Sequence, residues 1–344
     1  MPEVPRRPVR LPRRAAGLIA AVALLAPMSD AVHREATVVD LHSDTILEVA
    51  SGKRDITARS TSGHIDLPRL REGGVDVQVF ALFVDPRFAG QGYARVTALL
   101  DAFDRLDAQQ GALVRATSVA EIEEAVRAGR IAVVLAVENG TAIDGNLEHL
   151  GHLHARGVRM MSLTWNNSND LADGASEEVA GGLTPLGRRV LARMQELRLV
   201  IDVSHLSERS FWDVLAATTG PLVATHSNAA GLTPHRRNLS DDQLRAIARR
   251  GGIVGVNFYP TFTGGATLAH VLDHIDYLVR IMGADYVALG SDFDGFSQTV
   301  KDLEDVSHLP NLTAGLVARG YTPADVRKIL GGNALRVFRQ VWGR

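Results

Sequence analysis

Six side chains that can bind a metal ion stand just after short apolar runs in this 344-residue chain: His42, Asp44, Glu138, His205, His226 and Asp292. Imidazole and carboxylate donors suit Zn²⁺ and neighbouring transition metals, and a carboxylate has two oxygens with which to bridge two ions. Glu138 is the candidate bridge. Side-chain direction in a strand alternates with period two, so a His42-x-Asp44 pair would present both groups to one ion. The chain has no cysteine, which removes disulfides, thiolate nucleophiles and every thiolate metal site. Some two-metal sites are bridged by a carbamylated lysine, but Lys53, Lys301 and Lys328, the three lysines here, end none of the apolar runs. The chemistry such a set suits is metal-assisted hydrolysis, with an acidified water as nucleophile and a metal polarising a carbonyl. Taken singly, each residue could as well cap a helix or hold loop amides. Their convergence carries the reading.

The runs that must position them are Val38–Leu41, Val75–Val84, Ile131–Val137, Met160–Thr164, Leu199–Val203, Leu222–Thr225, Ile253–Phe258 and Val287–Gly290. Each is short, rich in β-branched residues and apolar on both faces, the pattern of buried parallel strands. Amphipathic stretches separate them. Val119–Ala128 follows Ser118, with Glu121 three residues on in a capping-box spacing, and Asp241–Arg250 follows Ser240. Strand–helix units in this number, with no glycine-rich dinucleotide fingerprint after the first strand, predict a (β/α)8 TIM-like barrel as a single catalytic domain over residues 37–344. In such barrels the reactive groups sit where the strands end. Those tips also carry Asp85, Asn139, Trp165, Asn166, Asn257 and Asp294. Asp294, followed by Gly295, reads as a turn residue, and Asn257 equally as a helix start. The histidine-rich stretch 148–154 is expected on an outer helix, where histidines near the C-terminus meet a favourable dipole.

With 46% hydrophobic and 22% charged residues the chain has the composition of a globular protein with a large core. Its formal net charge of −2 provides no basic field for a phosphate backbone, so a nucleic-acid partner is not expected. Residues 1–36 stand apart. Five arginines within Met1–Arg14 precede the apolar run Ala15–Ala26, which is too short to span a bilayer. That order reads as an export signal, with Ser29-Asp30-Ala31 as a cleavage site; the alternative is an extra N-terminal helix. A signal would send the protein to the periplasm or the exterior, and its absence would leave it cytoplasmic. No later stretch reaches transmembrane length, so no integral span is expected in the mature domain.

Several motifs form a collinear series: Val39-Asp40-Leu41-His42-Ser43-Asp44-Thr45, His64-Ile65-Asp66-Leu67-Pro68, Val137-Glu138-Asn139-Gly140, Ile201-Asp202-Val203-Ser204-His205, Thr225-His226-Ser227-Asn228, Arg236-Arg237-Asn238 and Gly290-Ser291-Asp292-Phe293-Asp294-Gly295. Together with the tail from Gly331 to Phe338, the series resembles the membrane (renal) dipeptidase family of zinc metallopeptidases in a bacterial-type member, over nearly everything after residue 37. The resemblance implies two Zn²⁺ ions per chain, one held by His42 and Asp44 and the other by His205 and His226, with Glu138 bridging. It implies that Arg237 holds the C-terminal carboxylate of a small peptide substrate and that Asp292 lies near the scissile amide and the substrate amine. It also implies a dipeptidase whose substrates extend to L-Xaa-D-Xaa pairs, and carries the expectation of a homodimer. One departure stands out. Mammalian members contact the dipeptide through a histidine that matches Trp165, and tryptophan offers one N–H donor, no acceptor and no charge. Trp165 and its neighbour Asn166 are therefore candidate substrate contacts, and another amidohydrolase-type reaction on N-acyl amino acids or lactones stays open beside dipeptide hydrolysis. A barrel that binds without catalysis is the remaining reading, since fold alone never guarantees chemistry.

Overall fold

The computed structural model describes residues 27–343 apart from residue 180, so the expected export segment before residue 27 lies outside the described residues. Residues 27–35 form a helix that takes in the Ser29-Asp30-Ala31 triplet. Val32 is in the core, and the His33 ring is held by Thr313 Oγ1 at 2.7 Å and by the Gly73 carbonyl at 2.9 Å.

Among the described residues nine parallel strands follow: β1 (Val38–Ser43), β2 (Val75–Phe83), β3 (Leu113–Arg115), β4 (Ile131–Glu138), β5 (Val158–Ser162), β6 (Val200–Asp202), β7 (Leu222–Ala224), β8 (Ile253–Val256) and β9 (Val287–Leu289). β1 pairs with both β2 and β9, and β2 pairs directly with β4, which closes an eight-stranded barrel in the order β1-β2-β4-β5-β6-β7-β8-β9. The expected (β/α)8 architecture is therefore present. The ninth strand, β3, was not anticipated. It pairs with β4 at Ile131–Val133 while β5 pairs further along at Leu135–Val137, so the two share the edge that faces away from β2. A three-residue strand is too short to leave an alternation that sequence could reveal. β5 runs Val158–Ser162 rather than Met160–Thr164, so Trp165 stands three residues past its end, in a loop.

The strands divide their side chains between two apolar clusters. Val39, Leu41, Val77, Val79, Val134 and Ala136 fall in one, which the C-terminal helix Asn333–Trp342 joins through Phe338 and Trp342. Alternate residues such as Phe80, Leu82, Leu135 and Val137 fall in the other, packed on helical residues including Leu99 and Phe103. The first cluster is the barrel interior. Trp342 Nε1 donates to the Arg159 carbonyl at the start of β5 and Asn333 Nδ2 to that of Val287 at the start of β9, so the last helix plugs the N-terminal mouth. Fully burying a side chain of the size of Phe338 contributes about 1.5–3 kcal/mol. With one mouth sealed by apolar side chains, polar chemistry is confined to the other.

Helix starts follow the sequence cues. Ser240 and Gln243 form a complete capping box, whereas Ser118 caps Glu121 N–H and the Glu121 carboxylate reaches Thr117 N–H instead of closing the box. The histidine-rich helix Leu147–Ala155 lies on the outer ring as expected, with Leu150 and Leu153 inward and His149 stacked on Tyr93.

At the open end the backbones crowd. A Cβ built on Gly290 would lie 1.7 Å from the Thr225 carbonyl oxygen, and one on Gly255 2.1 Å from the same atom. Only glycine allows the tips of β8 and β9 to close on β7 in this way. Gly290→Ala should cost on the order of 1–3 kcal/mol or more, because the obstacle is backbone that cannot rotate aside. Urea denaturation of the variant against wild type measures it.

Candidate metal centre

The five sequence-predicted ligands and Asp292 converge at the open mouth. His42 is the last residue but one of β1, and Asp44 lies beyond the strand, as the N-cap of the helix Thr45–Ala50. The register of β1 slips between Asp40 and Ser43, so strand alternation is not what brings the pair together. The turn from strand into helix does so, leaving His42 Nε2 3.8 Å from Asp44 Oδ2. Glu138 is the last residue of β4, and its two oxygens face different histidines. Oε2 is 3.5 Å from His42 Nε2, while Oε1 is 2.8 Å from His205 Nε2 and 3.8 Å from His226 Nε2. Asp292, just past β9, brings Oδ1 to 3.9 Å from His42 Nε2. His205 and Asp292 both adopt positive φ, 69° and 63°, which for residues other than glycine is a strained state held by its surroundings.

Hydrogen bonds decide which nitrogen of each histidine is free. Thr225 Oγ1 donates to Asp202 Oδ2 at 2.6 Å and so accepts from His226 Nδ1–H at 2.8 Å. Asn166 Oδ1 accepts from His205 Nδ1–H at 2.8 Å. Each proton is thus committed to Nδ1, and the bare Nε2 atoms of the two rings meet at 2.8 Å. With Glu138 Oε1, three lone-pair donors converge and no hydrogen lies between them. His42 Nε2 is likewise buried and without a hydrogen-bond partner. Buried lone pairs facing one another repel, and a cation relieves that repulsion. The donor set, nitrogen and oxygen without sulfur, fits zinc or a neighbouring transition metal. Within it, His42, Glu138 and His226 form one group of mutually close donor atoms, and His42, Asp44 and Asp292 another.

Charge in the cluster is equally uncompensated. Burial pushes Asp44 up to about 7, with the Glu138 and Asp292 charges adding to the shift and His42 opposing it. Burial raises Asp292 too. Burial also penalises charge on Glu138, but His42 and His205 outweigh it and hold the carboxyl below its ordinary range. His42, despite burial, is raised well above its usual value by Glu138 and Asp44. Burial, assisted by the Arg237 charge, lowers His205 to about 3 and drives His226 well down, so both present neutral imidazole at neutral pH.

Around the cluster lies a cleft of ≈ 560 Å³ whose lining includes Asp44, Glu138, Trp165, Asn166, Arg237 and Asp292. Arg237 is buried; its guanidinium donates to the His226 carbonyl at 3.1 Å and to Ser227 Oγ at 3.4 Å, it packs over Phe262, and it makes no ion pair among the described residues. Trp165 packs against Phe83 with ring centroids 5.3 Å apart and lies 6.0 Å from the His205 ring. Asp294 is kept out of the cluster by a buried ion pair with Arg54 and by accepting from His64 N–H at 2.6 Å, as its reading as a turn residue anticipates. Asn139 turns away to the Val84 carbonyl, 2.7 Å from its Nδ2, and to Thr141. Asp85 caps a short turn at Arg87.

Sequence reasoning gave no role to Asp40 and Asp202, and it placed Asn257 at a strand tip without its partner in the site. Asn257 Nδ2 donates to Asp292 Oδ2 at 2.8 Å while its Oδ1 accepts from Tyr259 N–H, so it serves the site and braces the turn that leads into the helix Pro260–Thr263, whose N-cap is Tyr259 and not Asn257. Asp40, buried in β1, accepts from Ser291 N–H, Ser291 Oγ–H and Gln78 Nε2, tying β1 to β9 just below His42 and Asp292. Asp202 ties β6 to β7 in the same manner. A carboxylate inside an apolar run was the available signal, since a buried charge needs partners.

The family described as Membrane dipeptidase (Peptidase family M19) matches residues 28–342. Dipeptidase aclJ of Aspergillus oryzae is 36% identical over 299 residues, 81% of this chain and 70% of that one. Among solved structures, the dipeptidase AC of family M19 is 31% identical with a TM-score of 0.84, covering 90% of this chain and 99% of its own. A metallo peptidase from Rhodobacter sphaeroides, liganded with a phosphinate mimic of the dipeptide L-Ala-D-Ala, is 29% identical with a TM-score of 0.84, covering 89% and 99%. Barrel, ligand-bearing mouth and relatives agree: the chain belongs to the membrane dipeptidase family, peptidase family M19, and is a dipeptide-hydrolysing enzyme.

Proposed function

We propose that the centre holds two zinc ions bridged by Glu138 and hydrolyses dipeptides, L-Xaa-D-Xaa pairs among them. The observation that carries this reading is the division of Glu138, one oxygen toward His42 and the other toward His205 and His226. His42 and Asp44 would hold one ion, His205 and His226 the other. The dipeptide mimic bound by the Rhodobacter sphaeroides relative supports the substrate class.

Bound there, zinc would supply an acidified water as nucleophile and polarisation of the scissile carbonyl. The chain's own residues do the rest. Arg237, buried and without an ion-pair partner among the described residues, offers a guanidinium fixed by the His226 carbonyl and Ser227 Oγ to a carboxylate one residue beyond the scissile bond. Asp292, whose Oδ2 is held by Asn257, keeps Oδ1 toward the cluster. Its raised pKa suits it to take the proton of the attacking water and hand it to the leaving amine. Trp165 walls the cleft beside His205 and excludes water, a role without proton chemistry.

Metal analysis of purified protein should find about two zinc per chain, a stoichiometry that follows from a two-ion site. Glu138→Gln should lower both zinc content and turnover, by about a thousandfold or more in kcat, while thermal unfolding of the zinc-free forms changes little. Arg237→Met should raise KM for free dipeptides about 10- to 100-fold, the worth of a charge-assisted hydrogen bond, and leave C-terminally amidated dipeptides insensitive to the change. Zinc binding should also release protons. Asp44, pushed up to about 7, and His42, raised well above its usual value, retain protons near neutral pH in the metal-free protein and must lose them to bind. Calorimetric titration with zinc at pH 7, in buffers of different ionisation enthalpy, counts them; no net release would contradict the ligand assignment.

A further inference from the structure

Another cavity, of ≈ 340 Å³, adjoins the cleft, and Leu47 and Phe83 line both. Its other walls bring together Lys53, Arg87 and Arg95. Two carboxylates stand among these cations, and both are engaged. Glu48 faces Lys53 at 3.7 Å, and Asp85 faces Arg87 at 3.5 Å while accepting that residue's N–H. Arg95 has no ion pair among the described residues, and its Nε is buried without a hydrogen-bond partner. The Arg95 and Arg87 guanidinium carbons lie 5.2 and 5.3 Å from the centre of the Phe88 ring, so one ring holds two like charges. Burial and the Arg87 charge weigh against the charged form of Arg95 and the Asp85 charge offsets them only in part, so an anion entering here would give the Arg95 guanidinium a direct partner.

Barrel geometry says which part of a substrate reaches this cavity. Phe83 ends β2, while Arg237 is anchored to His226 and Ser227 just past β7, and in the strand order β1-β2-β4-β5-β6-β7-β8-β9 these two strands face each other across the barrel. A dipeptide gripped by its carboxylate at Arg237 therefore extends its N-terminal residue toward β1 and β2. We infer that the cavity lined by Lys53, Arg87 and Arg95 is a subsite for an anionic side chain on the N-terminal residue, so that dipeptides beginning with glutamate or aspartate are preferred substrates.

This inference rests on the dipeptidase reading, and the isosteric pair Glu-Ala and Gln-Ala tests it in the zinc-loaded enzyme. The ratio of kcat/KM for Glu-Ala over Gln-Ala should be about tenfold at low ionic strength and decline with salt, and Arg95→Gln should bring it to about one. Ala-Ala turnover in the wild type separates the two claims: its absence defeats the dipeptidase reading. The subsite is then read by ligand-induced thermal stabilisation, where Glu-Ala should raise the melting temperature more than Gln-Ala in the wild type but not in Arg95→Gln. A wild-type ratio near one, or a ratio that Arg95→Gln leaves intact, overturns the inference.

Discussion

Everything at the open mouth depends on holding like groups together against their mutual repulsion. The Nε2 atoms of His205 and His226 meet at 2.8 Å, Glu138 Oε1 lies 2.8 Å from the first of them, and Asp44 and Asp292 stand on the other side of His42. In water these groups would separate. They are held because each stands at or within three residues of the end of a buried strand whose backbone is tied to its neighbour, and because the Nδ1 of each of these two histidines is already engaged, by Thr225 or by Asn166. Such supporting hydrogen bonds fix tautomer and ring orientation before any metal arrives.

The supporting carboxylates do their work one layer down. Asp40 joins β1 to β9 and Asp202 joins β6 to β7, so His42 with Asp292 and His205 with His226 are set as two pairs, each on its own cross-strand anchor. Glu138, on β4, reaches both. Glycines at 255 and 290 let the tips of β8 and β9 approach the Thr225 carbonyl, while Phe338 and Trp342 fill the far mouth. The barrel is thus packed apolar at one end and electrostatically loaded at the other.

The cleft is asymmetric around this centre. Arg237 lies at the β7 side beside Phe262, and Leu47 and Phe83 lie at the β1 and β2 side, with Trp165 between His205 and Phe83. The positive charge of Arg237 and the acidic cluster give the two ends of the cleft opposite character, which orients a zwitterionic substrate before specific contacts form. Tryptophan in place of a titratable side chain adds shape to that wall and no charge.

Much of this was legible in the sequence for a local reason. Apolar runs on both faces mark buried parallel strands, their number and spacing mark a barrel, and a barrel's reactive groups stand at its strand ends; His42, Glu138, His205, His226 and Asp292 follow from that rule. β3 escaped because three residues leave no periodicity. What only the tertiary structure decided is every relation between residues distant in the chain: that Glu138 divides its oxygens, that Asp40 and Asp202 are anchors, that Asn257 serves Asp292, and that Asp44 reaches its place by a turn into a helix. Sequence determines which side chain follows which strand, because that is fixed by spacing along one segment. It does not determine which atom of each faces which, because those distances are set by the closure of the barrel and by hydrogen bonds between strands.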